Sequence, residues 1–116
     1  MADELRFMVV LATVPSESVG RDIARDVVAK RLAACVNIVP GVVSVYEWEG
    51  LMEESGEVLL IMKTTEDRLD ALISGVKELH PYQVPEIIAL PISSGYEPYL
   101  RWVKSNTTLS ESKEVI

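Results

Sequence analysis

The sequence is poor in the residues that most often build metal, redox and phosphate-binding sites. Cysteine and histidine occur once each, at Cys35 and His80. A single cysteine cannot form a disulfide within the chain, and one cysteine with one histidine cannot complete a closed zinc site without carboxylates or a second chain. GxGxxG, P-loop, CxxC and HExxH motifs are all absent, and no nucleophile elbow accompanies the serines. Without a catalytic signature, we predict that the protein is not an enzyme.

Positive charge and long apolar runs are also scarce. Eleven Lys and Arg face eighteen Asp and Glu, which gives a net charge of −7. An acidic chain repels phosphate backbones, so we predict no nucleic-acid partner. The apolar run at 7–14 is too short to span a bilayer, and it follows acidic residues rather than the basic start of a signal peptide. Together with the single cysteine, this predicts a cytoplasmic protein with no membrane contact.

Hydrophobic residues, by contrast, are abundant for a chain of this size. They make up 48% of its 116 residues, and the mean hydropathy is +0.19. A single domain of this length cannot enclose all of that apolar surface by itself. The composition therefore predicts either that much of the surface is apolar or that part of it is buried against another copy of the chain.

Hydrophobic periodicity divides the chain into four strands and three helices. The predicted strands cover residues 6–14, 35–48, 57–65 and 86–92, and the predicted helices run from about Ser16 to Ala34, over 66–80 and over 95–106. The Pro40-Gly41 pair predicts a bend within the second strand. Residues 49–56 are predicted to be a turn region, so that 36–65 form a long hairpin.

This order of elements is the split βαβ plan. It predicts an α+β fold of the ferredoxin-like type, with an antiparallel sheet and an extra C-terminal helix. Both longer helices should cover one face of the sheet, and the other face would be bare although its strands are apolar, which again indicates self-association. We predict a single domain over residues 1–105 and a flexible tail over 106–116.

The segment LHPYQVPEIIAL, residues 79–90, is the strongest candidate site in the sequence. His80 falls in the last turn of a predicted helix, where a histidine can bond free carbonyls or serve as a metal ligand or proton carrier. Two prolines fix the backbone around Tyr82 and Glu86. Glu86 could pair with a basic side chain or coordinate a cation, and Tyr82 could orient either neighbour.

Each of three further residues allows two interpretations, one structural and one functional. Cys35 suits a small buried apolar position, or a soft-metal ligand if its thiolate is exposed beside the basic residues that precede it. Trp48 suits a packed hairpin face or a subunit contact. Lys63 is a lone charge near the end of an apolar strand, so it should pair, with Glu86 as the nearest candidate, or line a pocket.

Three blocks of sequence resemble the CutA family of divalent-cation tolerance proteins. They are RLAACVNIVPGVVSVYEWEG at 31–50, EVLLIMKT at 57–64 and LHPYQVPEIIALPI at 79–92. The resemblance extends over about 7–104. It implies a ferredoxin-like subunit in a homotrimer, with strands of one subunit extending the sheet of the next. It also implies clefts between subunits, as in the PII signalling proteins.

The resemblance also implies metal chemistry. The copper site of bacterial relatives uses a cysteine near the end of the first strand and a His-His pair before Pro-Tyr. Ala12 and Leu79 stand at two of those positions here, and His80 matches the third. On this basis we predict Cu(II) or another divalent cation as the cofactor, with His80, Glu86 and Cys35 as its ligands.

The predicted function is that of a trimeric divalent-cation (copper) tolerance or binding protein of the CutA type. Lys63, Tyr82 and Trp48 are predicted to line its cleft. The alternative is a PII-like signalling or interaction module that binds a small metabolite between subunits. Its basic contacts would come from Lys63, Arg21, Arg25 and Arg31.

Overall fold

The computed structural model describes residues 5–108 as four strands and three helices. In chain order these are β1 (Phe7–Val14), α1 (Glu17–Ala29), β2 (Cys35–Trp48), β3 (Leu51–Thr65), a 3₁₀ turn at Glu66–Arg68, α2 (Leu69–Leu79), β4 (Ile87–Pro91) and α3 (Glu97–Ser105). Most of the predicted tail, 109–116, lies outside the described residues. At its start, Thr107 is buried and its hydroxyl donates to the carbonyl of Val103 at 2.9 Å.

The strands form one sheet in the order β2-β3-β1-β4, with every neighbouring pair antiparallel. Consecutive strands that flank a helix are therefore not hydrogen-bonded to each other, which is the arrangement of the split βαβ plan. The predicted α+β fold class is confirmed. β1 lies inside the sheet and pairs along its whole length with β3.

The two longer helices, α1 and α2, cover one face of the sheet. Side chains alternate along a strand, and the even-numbered residues of β1 and β3 pack against α1 and α2. The centre of this core contains Val10, Leu60, Met62, Ile23 and Leu72, all fully buried. Burying five such side chains stabilises the fold by about 1.5–3 kcal/mol each.

α1 begins where the sequence indicates, because Ser16 caps it by accepting a hydrogen bond from the amide of Val19 at 3.2 Å. The prediction was wrong about its end, which is Ala29 rather than about Ala34. Arg31 takes φ 60°, which ends the helix. Leu32 continues the helical spacing of apolar residues but reaches the core from this turn, where it is 8% exposed.

The hairpin also differs from the prediction. Its turn consists of Glu49 and Gly50, with φ of 52° and 85°, and β3 starts at Leu51 rather than at Glu57. Two consecutive positive φ angles suit a two-residue hairpin turn. Residues 51–56 are therefore a largely exposed part of strand β3 and not a loop. β2 shifts register between Val39 and Val42, as its Pro-Gly pair indicated.

The opposite face of the sheet carries no covering helix over most of its area. Its rows include Leu11, Ile61 and Ile88, which are neighbours across three strands. Ile88 and Leu90 are each 48% exposed. We call this surface the helix-free face. Beyond the bulge, β2 and β3 continue as a two-stranded arm with further exposed apolar side chains, including Val43 at 67%.

Candidate functional site

A cavity of about 580 Å³ opens between the hairpin arm and the loop that joins α2 to β4. It is lined by Thr13, Ser44, Val45, Tyr46, Trp48, Glu53, Glu57, Tyr82, Gln83, Val84 and Glu86. Three predicted site residues, Trp48, Tyr82 and Glu86, therefore share one cavity. The structure brings them together because Pro81 stops α2 and the following loop turns back toward the sheet.

His80 is the C-cap residue of α2 and is 8% exposed. It does not line the cavity. Its Nδ1 accepts a hydrogen bond from the amide of Tyr82 at 3.2 Å. Its Nε2 lies 2.7 Å from the carbonyl oxygen of Thr13. A carbonyl can only accept, so Nε2 carries the proton and the ring is fixed in one tautomer. Both ring nitrogens are thus engaged in holding the loop on β1.

Tyr82 joins the loop to the hairpin. Its hydroxyl donates to Oε2 of Glu57 at 2.7 Å, and its ring lies 4.8 Å from the ring of His80. Burial raises the pKa of Tyr82 to about 12, and the hydrogen bond to the Glu57 carboxylate and the charges of Glu57 and Tyr46 contribute further. The hydroxyl therefore remains a proton donor at any physiological pH.

Glu57 is the residue that the sequence did not single out. It is 8% exposed, whereas Glu53 and Glu54 earlier in β3 are exposed. All three stand in one polar stretch, EESGE, and local pattern does not distinguish them. One feature of the sequence does distinguish Glu57: it is the last charged residue before the apolar run VLLIM. A carboxylate at that position enters the buried part of the sheet.

Cys35 and Lys63 form a second polar cluster at the other end of the sheet. They are register partners, and Lys63 Nζ lies 3.9 Å from Cys35 Sγ and donates to the side-chain oxygen of Asn37. Lys63 does not pair with Glu86 among the described residues. Tyr99 of α3 is beside Cys35, and burial, followed by the contact with that thiol, raises the pKa of Tyr99.

The predicted basic set does not converge on a pocket. Arg21 pairs with Glu17 one helical turn away at 3.5 Å, and Arg31 donates to the carbonyls of Ser105 and Thr108. Both side chains therefore have structural partners, and neither Arg21, Arg25 nor Arg31 lines the cavity. The cavity itself contains carboxylates rather than cations.

The sequence and the fold both match known proteins. The model of the CutA1 divalent ion tolerance protein family matches residues 8–106. The chain belongs to the CutA1 family. It is 57% identical to the divalent-cation tolerance protein CutA of Thermus thermophilus over 99 residues, which are 85% of this chain and 96% of that protein.

Further CutA1 relatives extend the comparison to eukaryotes. Human Protein CutA is 50% identical over 105 residues, which are 90% of this chain but only 59% of the human protein. The crystal structure of CutA1 from Oryza sativa superimposes with a TM-score of 0.87 at 50% identity and covers 90% of this chain and 95% of that one. The ferredoxin-like subunit implied by the resemblance is thus the fold of a CutA1 crystal structure.

CutA1 relatives occur in more than one compartment. A protein from Arabidopsis thaliana is named as chloroplastic, and a structure from Archaeoglobus fulgidus is named as a periplasmic protein. Within residues 5–108, none of the helices has the length and apolar character needed to cross a membrane. Family membership by itself therefore does not fix the compartment of this chain.

The predicted ligands do not form a divalent-cation site within the described part of this chain. His80 has both ring nitrogens bonded, and Cys35 is in register with Lys63, far along the sheet from Thr13. Across the described part of the chain, no three His, Cys, Asp or Glu side chains are grouped as metal ligands would be. Of the two positions where the resemblance implied copper ligands that this chain lacks, Ala12 is buried in the core and Leu79 is 45% exposed.

Proposed function

We propose that this CutA1 chain is a homotrimeric divalent-cation tolerance protein. The observation that carries this proposal is the helix-free face. Leu11, Ile61 and Ile88 lie side by side on this face and form an apolar patch. Exposed apolar patches of this kind are typical of protein–protein contacts. The family resemblance supplies the expectation of three subunits whose strands extend one another's sheets.

The hairpin arm supports an assembly in which subunits exchange strand contacts. Its apolar side chains, including Val43, Leu51 and Met52, are 66–78% exposed. β4 is an edge strand and could pair with a strand of a second copy. If the arm of one subunit contacted β4 of the next, the apolar side chains of the arm and the free edge of β4 would be buried in the same interface.

We propose that Cu(II) or another divalent cation binds where subunits meet. The ligands proposed are His80, Glu86 and Cys35, as predicted from the sequence. Because they do not form one site within a subunit, the proposal requires groups from more than one copy. His80 would have to give up the amide of Tyr82 to offer Nδ1 to a metal.

The test is a Cu(II) titration by calorimetry on the assembled protein. Saturable binding that is lost in His80→Ala and weakened in Glu86→Gln supports the ligand assignment. Glu86 is exposed, so Glu86→Gln should fold normally and isolates the ligand effect from any loss of structure. Binding that is unchanged in both variants, or no saturable binding, contradicts it.

The second candidate function is a PII-like module that binds a small metabolite in the cleft. The observation that favours it is the cavity, whose volume of about 580 Å³ is in the range of small-molecule sites. A thermal-shift screen separates the two functions. A metabolite that raises the melting temperature more than Cu(II) does favours the module.

We also propose that the protein is cytoplasmic, binds no nucleic acid and is not an enzyme. The net charge of −7 supports the absence of a nucleic-acid partner. The single cysteine supports a reducing, cytoplasmic location, which fractionation of the native host would test. With both ring nitrogens of His80 engaged, an enzymatic role with this histidine as general base is the least supported function.

A further inference from the structure

Glu57 is a buried glutamate with no cationic partner among the described residues. It is 8% exposed, and its one hydrogen bond among the described residues comes from the neutral hydroxyl of Tyr82. None of the ion pairs in that part of the chain involves it. Glutamates are rarely buried without a cationic partner, because removing an ionised carboxylate from water is costly.

The cavity that Glu57 lines is suited to a positive charge. Glu53 and Glu86 line it as well, and no Lys or Arg does so among residues 5–108. Trp48 and Tyr82 add aromatic surface, and Trp48 remains 44% exposed. Aromatic faces attract cations through their quadrupole, with tryptophan the strongest. The carboxylates and the aromatic rings of the cavity therefore both favour a positively charged ligand.

An organic cation fits this cavity better than a bare metal ion. A divalent metal needs several ligands at short range, and no group of three suitable side chains exists in the described residues. An ammonium group needs only one ionised acceptor and can keep further contacts with aromatic rings. A volume of about 580 Å³ also leaves room for an apolar body beside the charged group.

We propose that the cavity binds an organic ammonium ion, with its charged group against Glu57 and its apolar part against Trp48. Tyr82 acts as a positioning residue, because its hydroxyl fixes the Glu57 carboxylate through Oε2 and leaves Oε1 for the ligand. The site shares the lining residue Glu86 with the proposed copper ligands, but the groups that hold the ammonium ion, Glu57, Tyr82 and Trp48, all belong to one chain.

The first test uses three probes of matched shape on the wild-type protein. They are 2-phenylethylammonium, neutral 2-phenylethanol and anionic phenylacetate. Binding is followed by calorimetry and by Trp48 fluorescence in a Trp102→Phe background, which leaves Trp48 as the single tryptophan. We expect saturable binding of the ammonium probe and at least about tenfold weaker binding of the other two, since a desolvated charge contact exceeds about 1.4 kcal/mol.

The second test removes the charge and keeps the shape. Glu57→Gln should weaken binding of the ammonium probe by about tenfold or more while binding of 2-phenylethanol is unchanged. Glu54→Gln is the matched control, because Glu54 lies on the same strand, is exposed and does not line the cavity. It should leave all three affinities unchanged.

Two results would overturn the proposal. Equal binding of the ammonium and the alcohol would show that the site recognises only the ring. Absence of binding by all three probes would show that the cavity is closed, for example by a basic side chain of a second subunit. If Glu57→Gln does not fold, the three-probe comparison on the wild type still decides. Failure of the copper titration leaves these measurements unaffected.

Discussion

The two faces of the sheet have similar apolar side chains and very different surroundings. On β3, Leu60 and Met62 point toward the helices and are fully buried, whereas Leu59 and Ile61 point to the helix-free face and are only partly buried. The same strand thus holds two hydrophobic surfaces, and one chain covers only one of them. The difference shows that a near-continuous apolar run in this sequence supplies two hydrophobic surfaces, of which the helices bury one. The proposed trimer would bury the other.

The largest expected effect comes from removing a side chain on the covered face. Leu60→Ala should lower the free energy of unfolding by about 2–5 kcal/mol, since it leaves a cavity in a packed core. Leu59→Ala, one residue away on the other face, is the matched variant. If the helix-free face is a subunit interface, the urea midpoint of the wild type should rise with protein concentration, and Leu59→Ala should lower that midpoint at each concentration. A wild-type midpoint that is independent of concentration would contradict that interface.

A charge on the helix-free face should break the assembly. Ile88→Asp places a carboxylate on a 48% exposed apolar position, and we expect it to weaken self-association by about 100-fold, or about 2.7 kcal/mol. Sedimentation velocity at several concentrations measures this. Ala71→Asp, on the exposed side of α2, is the control and should sediment like the wild type. Unchanged association of Ile88→Asp would place the contact elsewhere.

A smaller effect is expected where the helix-free face meets the cavity. Tyr82→Phe removes the bond to Glu57 and should cost about 1–2 kcal/mol near neutral pH. The folded pKa is raised from 10.0 to about 12, so this stability is fully present below pH 10 and is lost as the pH rises toward 12. Unfolding of wild type and variant across this range measures it. Tyr46→Phe, whose hydroxyl makes a longer contact with Ser55, is the control.

The smallest effect is expected at the second polar cluster. Cys35→Ala should change the free energy of unfolding by less than about 1 kcal/mol. Lys63 keeps Asn37 as its main acceptor in that variant, so its charge stays solvated by a hydrogen bond. Chemical denaturation measures the change. A cost comparable to that of Leu60→Ala would show that the thiol is packed far more tightly than its intermediate exposure indicates.

Local pattern predicted most of this fold and only part of its site. Strand and helix order followed from periodicity, and His80, Tyr82 and Glu86 were found because two prolines mark their loop. The hairpin turn was placed too broadly, because residues 51–56 are strand through their pairing with β2 and lack the apolar alternation that marks a strand in sequence. Glu57 was missed because its burial depends on a loop that is 25 residues away in sequence.

The compositional prediction of a covered second face depends on assembly, which one chain cannot display. The central claim is that the helix-free face is buried between copies. Sedimentation equilibrium of the wild-type protein at micromolar concentration tests it most directly. We expect a single species of three times the 12.9 kDa chain mass. A species with the mass of one chain, with Leu59 and Ile88 open to solvent, would contradict it.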